Sequence, residues 1–173
     1  MIRRTTSAHF LPLRRAFTLV EALLASTILA VVAASAALPF AAGVQQAQEA
    51  ARLEQAVALG QAMMEEVLAR PFFEPGNSTP APGPDSGETA RTLFDNIDDF
   101  HGFSESVGGL RNYQNQPITD SAAAGLWRTV AVQYVSFPIQ TAQDTNSFVK
   151  VTVNVFDGNT LALTLQRLVS RED

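Results

Sequence analysis

The stretch RRAFTLVEALL, residues Arg14 to Leu24, sets two arginines, a small residue and an aromatic ahead of a glutamate that stands inside an apolar run. From Ala22 to Gln48 there is no charged side chain, and Phe17 to Leu38 is apolar except for Thr18, Glu21, Ser26, Thr27 and Ser35. As a helix those 22 residues would extend about 33 Å, the thickness of a bilayer's hydrocarbon core. The reading of this stretch decides the rest, because a carboxylate in such a place costs free energy and calls for a reason.

The flanks give an orientation. Arg3, Arg4, Arg14 and Arg15 precede the span and no lysine or arginine follows until Arg52, so the positive-inside rule predicts a cytoplasmic amino terminus and an exported remainder. Taking those four from the 12 basic residues leaves eight against 17 acidic ones. Such a balance argues against nucleic acid as a partner, since phosphate contacts need a basic face. Cysteine is absent, which excludes disulfides and thiolate metal sites.

Three kinds of amino-terminal signal compete. A secretory signal would use Arg14 and Arg15 with Ala34-Ser35-Ala36 as the cleavage site, and a twin-arginine signal would start at Arg14-Arg15-Ala16-Phe17. Neither accounts for Glu21. Ala16-Phe17-Thr18-Leu19-Val20-Glu21, behind a basic leader and ahead of an apolar helix, resembles the prepilin signal of the type IV pilin and pseudopilin family. The resemblance implies that prepilin peptidase, a membrane aspartyl protease, cuts between Ala16 and Phe17 and methylates the new amine of Phe17. It also makes Glu21 the family's fifth-position glutamate. The family usually carries glycine where this chain has Ala16, and the leader of 16 residues is longer than in many pilins. Cleavage creates a cation four residues from Glu21, and in staggered parallel helices the amine of one subunit can meet the carboxylate of the next. The alternative is a Glu21 that merely snorkels to the interface.

Pro39 removes a backbone donor and is expected to kink or loosen the helix. Beyond it, Val44 to Ala69 is rich in helix formers, with Leu53, Val57, Gly60, Met64, Val67 and Leu68 at spacings of three and four predicting one apolar stripe. Met63 and Met64 read as core filling. Arg70-Pro71 ends the helix, and Pro71 to Glu88, with five prolines and three glycines, reads as an extended loop.

Phe94 to Glu105 follows as a cluster of acids and aromatics. Asp95, Asp98, Asp99 and Glu105 are candidate calcium ligands, and the resemblance adds that some pseudopilins carry calcium in their globular part, although the spacing matches no EF-hand loop. The preferred reading is an acidic turn anchored by Phe94, Ile97, Phe100 and Phe103, with no cofactor. His101 lacks the partners that a zinc or catalytic site needs. Gly60 to Phe72, together with this turn, is similar to minor pilins of the mannose-sensitive haemagglutinin pilus, MshD type.

The last third reads as sheet. Trp127 to Phe137 predicts one strand. Val149, Val151, Val153 and Val155 alternate with polar residues, Asp157-Gly158-Asn159 supplies a turn, and Leu161, Leu163 and Leu165 alternate on the return strand. The fold class is α+β, and the resemblance makes it pilin-like: a long N-terminal helix, half transmembrane and half amphipathic, packed on a small antiparallel sheet. The expected divisions are a cytoplasmic leader at 1–16, the transmembrane half at 17–40, the amphipathic half at 41–70, a loop and acidic turn at 71–126, and the sheet at 127–173.

No phosphate loop, paired histidines or nucleophile motif is present, so nothing favours an enzyme. The resemblance implies a filament subunit of a pilus or a secretion apparatus. Its partners would be prepilin peptidase, other pilin or pseudopilin subunits, an inner-membrane assembly platform and membrane lipid, with the carboxyl-terminal part periplasmic. The competing expectation is a membrane-anchored or exported binding module whose acidic turn is its ligand site.

Overall fold

The first turn of the long helix is closed by its own sequence. In the computed structural model, which describes residues 17–72, 82–138, 140 and 147–171, Thr18 caps helix α1, Leu19–Leu68. Thr18 N and Oγ1 donate to Glu21 Oε2 at 3.0 and 3.1 Å, and Glu21 N donates back to Thr18 Oγ1 at 3.2 Å, the reciprocal pattern of a capping box. Ser26, Thr27 and Ser35 donate their hydroxyls to the carbonyls of Leu23, Leu24 and Val32 at 2.8–2.9 Å. These polar groups therefore need no water, which suits a segment long and apolar enough to cross a membrane. The helix runs on through Pro39. The expected leader at 1–16, including Ala16, lies outside the described residues.

The described residues fall into two compact units, divided between Gln45 and Gln46. In the second, the helix buries Ala56, Leu59, Gly60, Met63, Met64 and Val67. This corrects the expected stripe: Leu53 is 54% exposed and Val57 only half-buried. Spacing alone left the face rotated by about one residue, because small Ala56 and Gly60 mark the line of closest approach to the sheet. A Cβ on Gly60 would lie 3.0 and 3.1 Å from methyl groups of Leu163 and Leu165. Met63 and Met64 belong to the core, as expected.

The sheet has four antiparallel strands in the order β1 (Ser104–Glu105), β2 (Leu126–Tyr134), β3 (Phe148–Asp157) and β4 (Thr160–Ser170). The region 71–126 thus contributes a strand, and β2 stops at Tyr134, short of the expected Phe137. His101 supports the join: its Nδ1 accepts the Val132 amide at 3.2 Å where β1 no longer reaches. Val149, Val151, Val153 and Val155 are all buried, and the β3–β4 hairpin turns at Gly158 and Asn159. On β4 the regular alternation fails. A register shift between Val155 and Phe156 pairs them with Leu163 and Leu161, leaving Ala162 as an extra residue. Such a bulge swings Leu161 off the core face, and it is 53% exposed.

Phe94, Ile97 and Phe100 are buried and Phe103 packs against the same core, so the acidic turn is anchored as the aromatic spacing implied. The three phenylalanine rings meet edge to face with centroids 5.1–6.1 Å apart.

Candidate functional site

Two regions carry the chemistry. In the amino-terminal unit, Phe17 is 86% exposed, one residue before the capping threonine. Glu21 lies in the first turn of the helix, where a carboxylate faces the unsatisfied amides and the positive end of the helix dipole. The carboxylate of the isolated chain is held by Thr18. The sequence signal for this is Thr-x-x-Glu, the capping-box spacing, which the reading of Glu21 as a lone charge does not use. Exposed Ala22, Ala25, Ala30, Ala33 and Ala34 line the same span, small side chains that permit close helix approach.

In the second unit the four acids singled out from sequence part company. Among the described residues, ligand oxygens of Glu88, Asp95 and Asp99 lie within 4.8 Å of one another. Asp99 is 1% exposed. Its Oδ2 accepts the amides of Asp95 and Asn96 at 2.9 and 3.0 Å, while its Oδ1 and Asp95 Oδ1 are buried without a donor. Glu88 is pushed upward, first by burial and then by Asp99 and Asp95, against the pull of the Asp85 amide. Three converging carboxylates with two orphaned oxygens fit a hard divalent cation, and equally a shared proton.

Asp98 and Glu105 stand outside this group. Asp98 and Asp99 are neighbours in a 3-10 turn, where successive side chains diverge by a third of a revolution. Asp98 is instead coupled to Tyr134. Burial, with the charges of Asp99 and Asp85, pushes it up to about 6, and burial with the Asp98 charge pushes the Tyr134 phenol upward.

Glu105 sits opposite Arg128 in the β1–β2 ladder and anchors a buried ionic network. Its Oε2 accepts Arg128 Nε at 2.6 Å and its Oε1 accepts Arg91 Nη1 at 2.8 Å. Arg91 also grips Glu66 of the helix through Nε and Nη2. Arg128 reaches the helix too, donating to Leu59 O at 2.8 Å. Burial lowers the Arg128 guanidinium more than Glu105 raises it. For Arg91, burial is again the largest influence, yet Glu66 and Glu105 together outweigh it and the net direction is upward. Both arginines further donate to the carbonyl of Arg111, and Arg91 also to that of Asn112. Glu105 therefore has a structural role: Arg91 and Arg128 are its unforeseen partners, and Glu66 joins the network through Arg91. The available hint was Arg128 itself, a charge at an inward position of an alternating strand.

Residues 12–37 match the model of the prokaryotic N-terminal methylation motif, which is characteristic of type IV prepilin and pseudopilin signals. The matched span includes Phe17 and Glu21. No curated protein and no solved structure matches the chain.

Proposed function

We propose that this chain is a non-enzymatic subunit, a minor pilin or pseudopilin, of a type IV pilus or a type II secretion-type filament. The observation that carries the reading is Glu21 inside a methylation motif, at the first turn of a helix whose following stretch, Ala22 to Gln48, is uncharged and long enough to span a bilayer. Prepilin peptidase cuts between Ala16 and Phe17 and methylates the Phe17 amine. The subunit then rests in the inner membrane, amino terminus toward the cytoplasm and carboxyl-terminal unit in the periplasm, until an assembly platform feeds it into the filament. There the amine of one subunit neutralises the Glu21 of another away from water. Pro39 provides a point of loosening where the Ser35 carbonyl has no helical donor. Close packing of the alanine-rich span against neighbouring helices holds the subunit in place, since lipid is equally apolar.

The test is the mass of the amino-terminal peptide of protein purified from its native membrane. N-methylated Phe17 is expected. A terminus at Ala37 or an intact Met1 would overturn the reading.

The acidic corner favours a second, compatible role as a calcium site. Glu88, Asp95 and Asp99 would hold the ion in place of the four ligands expected from sequence. Its support is the pair of buried carboxylate oxygens without donors. Bound calcium would tie the 82–100 segment together by neutralising its charges.

A further inference from the structure

We propose that a groove at the carboxyl-terminal end of α1 receives the acidic segment Glu49–Glu54 of a second copy, a head-to-tail contact that rests on the filament reading. The groove, about 300 Å³, is lined by Leu68, Arg70, Phe72, Arg167 and Leu168 among others, with no carboxylate among the described residues that line it. The chain's other arginines of the second unit are mostly engaged: Arg52 with Asp157, Arg91 with Glu66 and Glu105, Arg128 with Glu105. Arg70 and Arg167 have no ion-pair partner among the described residues. Two guanidiniums without an ion-pair partner among the described residues, sharing a mainly polar groove on a chain with 17 acidic residues, call for an anion.

The complement is at the other end of the helix in the same unit. Glu49, Leu53 and Glu54 are exposed, and Leu53 was displaced from the core face by the rotation described above. Glu49 and Leu53, four apart, share one face, and neither glutamate has an ion-pair partner among the described residues. Leu53 and Leu68, the groove residue at the helix end, are separated by about 22 Å along the helix, so the two features cannot meet within one molecule. Between copies they match in charge, and Leu53 can lie against Leu68 and Leu168 of the groove wall. A contact of one patch with a different patch does not close on itself and propagates along an axis, as a filament requires.

The chain has no cysteine, which permits a direct test with two full-length copies carrying different tags in the native membrane. One bears Leu53→Cys, the other Leu168→Cys. Oxidation is expected to give a disulfide-linked dimer of the two tags. Arg70→Gln with Arg167→Gln on the Leu168→Cys copy should reduce its yield, and Arg70→Glu with Arg167→Glu should reduce it about tenfold. Glu49→Arg with Glu54→Arg on the other copy should restore it. No mixed dimer, a yield indifferent to these charges, or capture only between two Leu168→Cys copies would overturn the contact. The terminal mass of each copy separates the two levels: methylated Phe17 without the dimer refutes this docking alone, and a terminus elsewhere refutes the filament reading.

Discussion

Glu105 and Arg128 face each other across β1 and β2, 2.6 Å apart from Oε2 to Nε and both buried. The pair lies between the helix and the sheet, and Arg91 and Glu66 extend it on the helix side. Removing one member of such a pair leaves the other charge without compensation. Glu105→Leu is therefore expected to cost about 3–5 kcal/mol in denaturant unfolding of the detergent-solubilised chain. Glu105→Leu combined with Arg128→Leu should recover part of that loss; a double variant no better than the single one would contradict the account.

Gly60 is the point of closest approach between helix and sheet. A valine there must push aside Leu163 and Leu165, with Val155 a further 3.4 Å contact, so Gly60→Val should destabilise by about 1–3 kcal/mol despite the cost of glycine in a helix. Equal or higher stability in the same unfolding assay would mean that the packing there is looser than it stands.

Glu21→Ala is expected to leave a methylated Phe17 terminus while reducing recovery of the subunit in sheared or purified filaments at least several-fold. Thr18→Val separates the two uses of the carboxylate. It removes the hydroxyl that holds Glu21 within the chain but leaves Glu21 able to meet an amine, so incorporation should survive. Normal incorporation of Glu21→Ala would sink the intersubunit pair.

Calcium at the acidic corner makes a simple demand. Titrating calcium into chelator-treated protein should raise the melting temperature, and Glu88→Gln with Asp99→Asn should abolish the rise while Asp98→Asn preserves it. An unchanged melting temperature in the unmodified chain would leave a shared proton as the explanation of the converging carboxylates.

Asp98 gives a pH signature in metal-free buffer. Its folded value of about 6 stands above the ordinary 3.8, so the folded chain binds the extra proton and stability from this group falls as pH rises from about 4 to 6. The effect is on the order of 2 kcal/mol. Asp98→Asn should flatten the slope, as read from melting temperatures across that window; an unaltered slope would assign it to another group.

Elements whose causes are local are legible in the amino-acid order alone. An uncharged run of membrane length, a threonine three residues before a glutamate, valines alternating on β3 and a glycine-asparagine turn each specify their structure within a few residues. The methylation motif is legible for the same reason, since a peptidase reads a short linear signal. Tertiary structure decided what depends on distant partners. Which helical face turns inward was set by where Gly60 meets Leu163 and Leu165, and the outward swing of Leu161 by a bulge opposite Val155. The division of the acids followed from chain paths that no spacing records: Glu88 joins Asp95 and Asp99 across a turn, whereas Glu105 is claimed by Arg128 from another strand. Charges act through space over several ångströms, and only the folded chain says which of them are near.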